Sequence, residues 1–224
     1  VDATCSGLQI LAGLAADRST AELVNVVPSN KPSDAYKAVA EKAKEFLPAY
    51  MHPWMNRSVC KRTVMTIPYN ATKDSSRKYI REALLQNNID PTKDELTQVV
   101  NAVYNSMDAV VPGPMKVMRW IKKHVGQYIR NGATEVEWTT PSGFVVNQKR
   151  NDIETEQMEL QLLGRTRVRI PTGKETPSPT KHKSSTAPNY IHSFDASILH
   201  RSFMQFDEPF TVIHDSVLCR AGDM

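Results

Sequence analysis

Two aspartates far apart in the chain, Asp2 and Asp215, each lie at the end of an apolar run, and a basic stretch between them carries Arg57, Lys61 and Tyr69. The last three stand at offsets of zero, four and twelve. On a helix, at ~100° per residue, they share an arc of about 120°, with Arg57 and Lys61 as neighbours. Such a face offers positive charge to phosphates at one end and a flat ring to a base at the other. A solvated basic helix end is the alternative for this stretch by itself. Asp2 likewise reads either as a helix-start residue or as a metal ligand at a strand end. His214-Asp215-Ser216 sits between two apolar runs, where an unpaired charge is costly and a divalent cation would account for it. Together, two carboxylates and a cationic helix are the inventory for two-metal phosphoryl transfer. The carboxylates would hold two Mg²⁺ ions, and the cations would neutralise a triphosphate and its departing pyrophosphate.

Those groups need a scaffold, and the apolar periodicity predicts an α+β chain that is mostly helical. Leu8, Leu11, Leu14 and Ala15 recur at helical spacing after Gly7, which allows close approach to the backbone. Pro32, Ser33 and Asp34 open a helix whose stripe is Tyr36, Val39, Ala40, Ala43, Phe46 and Leu47, and Pro48 ends it. Tyr36 suits a core position there as well as a pocket wall. Pro68 is expected to kink or end the basic helix just before Tyr69. Further helices are predicted over 75–86, 94–111 and 115–129. On the last of these Lys116, Arg119 and Lys123 share a face, either simply solvated or tracking a nucleic-acid backbone.

At Gly132 the period changes from 3.6 to 2. Segments 134–140 and 143–148 read as one hairpin, and 156–162 with 165–170 as a second. Arg165, Arg167, Arg169 and Lys174 make the second hairpin a basic ribbon, suited to a nucleic-acid groove or equally to solubility. Residues 174–188, rich in Pro, Ser, Thr and Lys, are expected to be a mobile loop. A helix over 196–206 and a short apolar hairpin with Asp215 at its tip follow.

Composition excludes little but narrows the setting. The 224 residues carry 28 Lys and Arg against 24 Asp and Glu, a net charge of +4 that permits a polyanionic partner. Three scattered cysteines, Cys5, Cys60 and Cys219, show no metal-site spacing and read as reduced thiols. No apolar run is long enough for a membrane span. The chain opens at Val1 and closes on Asp223-Met224 without a finishing element, so a piece of a longer protein is expected.

The ordered motifs resemble the single-subunit, bacteriophage-type and mitochondrial-type DNA-directed RNA polymerases. Asp2-Ala3-Thr4-Cys5-Ser6-Gly7-Leu8-Gln9 is similar to their first palm motif. Lys61-Arg62-Thr63-Val64-Met65-Thr66-Ile67-Pro68-Tyr69, with Arg57 four residues ahead, is similar to their fingers motif. Pro188-Asn189-Tyr190-Ile191-His192-Ser193-Phe194-Asp195 and His214-Asp215-Ser216 resemble the last two palm elements. Segments 28–41 and 138–144 resemble the family too, so the likeness spans nearly the whole chain.

The resemblance implies a right-hand polymerase fragment: palm over 1–24 and 189–224, helical fingers over 25–131, and a β-hairpin specificity loop over 132–188. It implies that Asp2 and Asp215, with the Ala3 carbonyl, ligate two Mg²⁺ ions. It further implies that Lys61 meets the triphosphate and protonates pyrophosphate, that Arg57 binds the outer phosphates, and that Tyr69, His192 and Tyr36 line the nucleotide site. The basic ribbon, Arg165, Arg167, Arg169 and Lys174, would face promoter DNA. Template DNA, RNA product and ribonucleoside triphosphates would be the partners of a monomeric enzyme, working in the cytoplasm of a phage-infected bacterium, with the mitochondrion as the alternative. The DNA-making relatives place a glutamate five residues after the first aspartate; here that offset holds Gly7, leaving room for a ribose. A related DNA polymerase and an inactive nucleic-acid-binding relative are the competing readings. Asn70 stands where the family usually has Gly, at a turn that Asn tolerates. The chain by itself is expected to be inactive.

Overall fold

The computed structural model describes residues 5–161, 164–214 and 216–223. Within them the order is helical first, then β-hairpins, then one long helix and a last hairpin. The helices are α1 (Ser6–Leu14), α2 (Arg18–Leu23), α3 (Ala35–Lys44), α4 (Arg57–Thr66), α5 (Lys73–Gln86), α6 (Lys93–Val110), α7 (Pro112–Arg130) and α8 (Pro179–Phe203). The strands pair as three separate antiparallel hairpins, β1 (Val136–Thr139) with β2 (Val145–Gln148), β3 (Asn151–Leu160) with β4 (Thr166–Pro177), and β5 (Phe210–Ile213) with β6 (Ser216–Cys219).

Helix starts follow capping chemistry. The side chains of Asp17, Asp34, Asn56, Thr72 and Ser178 each accept the backbone N–H three residues on, satisfying a donor that a helix leaves open at its start. Thr92 and Glu95 form a reciprocal capping box at α6. Pro112 and Pro114 fall in the first turn of α7, where a missing N–H does no harm.

The core is built from helix stripes. Leu8 and Leu11 of α1, Val39 and Ala43 of α3, Val59 and Val64 of α4, Ile80 and Leu84 of α5, and Val99, Val103 and Met107 of α6 are all buried in one cluster, joined by Ile191 of α8. Asp17 clasps the two ends of the helical region. Its Oδ2 accepts the Gly113 N–H at 2.9 Å, 96 residues away, and a Cβ at Gly113 would lie 2.5 Å from that oxygen. Only glycine leaves room for the clasp.

One expectation is corrected. Residues 174–188 are not a mobile loop: β4 runs on to Pro177, and α8 begins at Pro179 and continues through Pro188. The helix expected over 196–206 is only its last part, and the palm boundary expected at 188/189 falls inside it. Composition hid α8 because several of its buried positions are polar, namely His182, Thr186 and Ser197. They are inside because they have partners. Gln148 Nε2 donates to Thr186 Oγ1 at 2.8 Å, Asn189 donates to Gln148 Oε1 at 2.6 Å, and Arg150 N–H donates to His182 Nε2 at 3.1 Å. This buried network fastens β2 to α8. Trp138 Nε1, donating to Ser193 Oγ at 2.9 Å, and Ser142 N–H, donating to Ser197 Oγ at 2.7 Å, fasten the first hairpin to the same helix.

The β3–β4 ribbon is exposed along nearly its whole length. Its register sets Glu159 opposite Arg167 and Gln157 opposite Arg169, while Met158 opposes Val168 on the other face. Arg165 is ion-paired with Glu159. Lys174 lies within the register shift, next to Gly173 at φ 81°. The ribbon is therefore of mixed charge, since β3 brings Glu159 against Arg165 and Arg167, two of the four cations read from the sequence. Among the described residues no helix is long and apolar enough to cross a membrane.

Candidate functional site

The segment that carries Arg57 and Lys61 is helical, as their spacing predicts. Asn56 caps α4, so that Arg57 and Lys61 project from one face, both exposed. Val59, Cys60, Thr63 and Val64 take the opposite, buried face. Arg62 lies over the Tyr79 ring at 3.9 Å and pairs with Glu82 at 3.0 Å, which holds α4 against α5. Pro68 ends α4 as expected, in a tight 3₁₀ turn over Ile67–Tyr69. Asn70 then closes the turn in the left-handed region at φ 65°, its N–H bonded to the Ile67 carbonyl at 2.9 Å. The turn survives with Asn in the usual place of Gly.

Tyr69 is held on several sides. Its ring stacks on His192 of α8, with centroids 4.6 Å apart and an interplanar angle of 13°. Its hydroxyl lies 3.2 Å from Ser6 Oγ. A Cβ at Gly7 would come within 3.1 Å of both Tyr69 Cζ and its hydroxyl oxygen, and 3.0 Å from Pro68 Cβ. The space that any larger residue at position 7 would take is thus occupied by Tyr69 itself. His192 is exposed and Tyr69 half-buried, so the pair presents a flat polar edge to solvent beside the N-terminus of α1.

Arg57 is engaged elsewhere. Its Nε donates to Asp34 Oδ2 at 2.6 Å, and its guanidinium lies 5.2 Å from the centre of the Tyr36 ring. Partial burial pushes the Asp34 carboxyl up, but the Arg57 guanidinium and the Lys37 N–H together outweigh it and hold the group below the ordinary carboxylate range. Tyr36 is half-buried against the core, and burial together with the neighbouring Cys5 thiol raises its phenol well above the usual range. Cys5, Asp34, Tyr36 and Arg57 line a cleft of about 390 Å³. Lys61, by contrast, has no ion-pair partner among the described residues.

The expected metal ligands Asp2, Ala3 and Asp215 lie outside the described residues. His214, at φ 55°, and Ser216, which opens β6, flank the last of them. Among the described residues no three His, Cys, Asp or Glu side chains converge as a metal site. The structure therefore brings Tyr69 together with His192, and Arg57 together with Tyr36. Arg167, Arg169 and Lys174 stand apart from both pairs, on β4, with Arg165 immediately before that strand. Sequence reasoning missed Ser6 as a partner of Tyr69 and Asp34 as the counter-ion of Arg57. Asp34 was visible only as a helix-start residue; nothing local pointed to an arginine 23 positions on.

The whole chain, residues 1–224, matches the family described as DNA-dependent RNA polymerase. It is 29% identical to the mitochondrial DNA-directed RNA polymerase of Schizosaccharomyces pombe over 255 residues, covering 100% of this chain and 22% of the relative. It is 26% identical to the mitochondrial enzyme of Mus musculus, covering 100% of this chain and 20% of the relative. To the RNA polymerase of Escherichia phage T7 it is 27% identical, covering 96% of this chain and 31% of that protein. The chain thus spans less than a third of the length of these relatives.

Proposed function

From the premise that this chain belongs to the DNA-dependent RNA polymerase family, in its single-subunit phage and mitochondrial type, we propose that it supplies the nucleotide-adding centre of a DNA-templated RNA polymerase. Residues 1–24 and 189–224 act as palm, 25–131 as fingers, and 132–188 as a specificity loop with Arg165, Arg167, Arg169 and Lys174 toward promoter DNA. The observation that carries the reading is the Gly7 notch filled by Tyr69, with His192 stacked on its ring. A carboxylate side chain at position 7 would push into the sugar site. With glycine there, Tyr69, whose hydroxyl lies 3.2 Å from Ser6 Oγ, and the exposed edge of His192 are the groups to meet a 2′-hydroxyl, and a ribonucleotide is the substrate that has one.

The residues divide the work by chemistry. Lys61, exposed on α4, meets the triphosphate and carries a proton to the departing pyrophosphate oxygen. Arg57 takes the outer phosphates once it leaves or shares Asp34. Tyr69 closes on the base pair, His192 orients the ribose with it, and Tyr36 walls the phosphate side. Asp2, Asp215 and the Ala3 carbonyl are hard oxygen donors of the kind magnesium takes. The two ions they would hold supply a more acidic attacking hydroxyl and neutralise charge on the phosphates.

Primer extension by the full-length protein on a DNA template tests the reading, with ribo- and deoxyribonucleotides compared. Ribonucleotide extension is expected, with Asp215→Asn and Lys61→Met lowering it by orders of magnitude while DNA binding persists. A strong deoxy preference would mean a DNA polymerase, and binding without any synthesis would mean an inactive relative.

A further inference from the structure

Pro188 sits inside α8, and a proline has no N–H to give the carbonyl four residues back. That carbonyl belongs to Ser184, and it accepts the side-chain amide of Asn70 at 2.9 Å, across 114 residues. Asn70 is the residue after Tyr69, and Ser184 lies eight residues before His192 on the same helix. We propose that Asn70 is a positioning residue for the Tyr69–His192 pair, latching the end of the α4 segment to α8 through the one helical carbonyl that Pro188 frees.

The argument is geometric. A single ring stack leaves two elements free to slide and rotate about their contact. A second attachment about 12 Å along α8, at 1.5 Å per residue, removes that freedom. Position 70 adopts a left-handed backbone at φ 65°, which glycine takes at no cost and most other residues resist. Asn is among the few side-chain-bearing residues that enter this region readily, and it also brings an amide donor. Both requirements of the latch, the backbone and the N–H, are met by one residue. With Pro188 in place no helical N–H competes with Asn70 for the Ser184 carbonyl, so the two positions act as a pair.

The proposal rests on the reading that Tyr69 and His192 touch the incoming ribonucleotide. The test uses the full-length protein and measures the ratio of kcat/KM for ribo- over 2′-deoxyribonucleotides. Asn70→Gly keeps the backbone and loses the amide, and should lower that ratio about fivefold, the scale of one neutral hydrogen bond. Its thermal midpoint should change little, because glycine relieves the left-handed backbone as the bond is lost. Asn70→Asp sets an oxygen against the carbonyl and should lower the ratio further. Pro188→Ala restores a helical N–H to Ser184, and in that background the effect of Asn70→Gly should shrink. Wild-type selectivity in Asn70→Gly, or an equal loss with and without Pro188, would overturn the latch. A double-mutant cycle on urea midpoints reads the same coupling without any synthesis. Absence of synthesis by the unaltered protein would therefore count against the polymerase reading alone, and absence of coupling in that cycle against the latch alone.

Discussion

Replacing Gly7 by alanine puts one methyl group where Tyr69 already lies. The new Cβ would sit 3.0 Å from Pro68 Cβ and 3.1 Å from Tyr69 Cζ and its hydroxyl oxygen. Ordinary carbon contacts are ~3.5–4.0 Å, so something must yield by roughly half an ångström. Pro68 is buried in the turn, and the Tyr69 ring is backed by His192, so neither retreats freely. Overpacking of this kind costs about 1–3 kcal/mol, while alanine in place of a helical glycine returns roughly 0.5–1 kcal/mol. The net expectation is a loss of about 1 kcal/mol, measured as a lower urea midpoint with an unchanged slope. Function should suffer more than stability. A 1 Å misplacement of a positioning group can cost ~100-fold, so half of that predicts about a tenfold fall in ribo-over-deoxy selectivity in single-nucleotide incorporation. A variant that is more stable, as an unhindered helical glycine-to-alanine change would be, and equally selective would refute the reasoning.

Asp34→Asn keeps the helix cap on Lys37 but removes the charge that holds Arg57. The pair is partly exposed, with side-chain exposures of 52% and 36%, so it is worth about 0–1 kcal/mol. The KM for ribonucleoside triphosphates is expected to fall two- to fivefold, and a rise would place Arg57 elsewhere in the mechanism. Burial of His182, with Arg150 beside it, lowers the imidazole below its ordinary value. A neutral His182 is therefore favoured on folding: its contribution is complete above the ordinary value of about 6.5 and is lost as pH falls through the depressed one. Protection of the Arg150 amide, which donates to His182 Nε2, should fall faster with acidification than that of other buried amides. Equal behaviour across those amides would refute the assignment.

The helices most legible in the sequence were those whose signals are local. The apolar period expected over 94–111 is α6, Lys93–Val110, while the helix expected over 115–129 begins earlier, with Pro112 and Pro114 inside its first turn. The Arg57–Lys61 face followed from a four-residue offset, and Pro68 ended α4 as its chemistry requires. What stayed hidden depends on partners distant in sequence. The first part of α8, up to Pro188, reads as a loop because its buried Thr186 and His182 look soluble until Gln148 and Arg150 arrive. Pro188 reads as a breaker until Asn70 takes up the carbonyl it leaves. The stack of Tyr69 on His192 was foreseeable only through the resemblance, since nothing in either stretch names the other.

The clasp between Asp17 and Gly113 bears on how such a protein can change length over evolutionary time. It joins the two ends of the helical region, so whatever lies between leaves and returns at nearly the same point. Entropy then penalises extra chain there only weakly, about 0.6 kcal/mol for each doubling of a flexible loop. Insertions and deletions within that excursion leave its exit and return fixed, and with them the footing of α1 beneath Tyr69. The match with the Schizosaccharomyces pombe relative runs over 255 residues against a chain of 224, so length differs between the two somewhere along this chain. Gly113 is held in a stricter way: a Cβ there would lie 2.5 Å from both Cβ and Oδ2 of Asp17 and 2.9 Å from the Ala15 Cβ, so shortening the side chain at 17 alone would not make room for one.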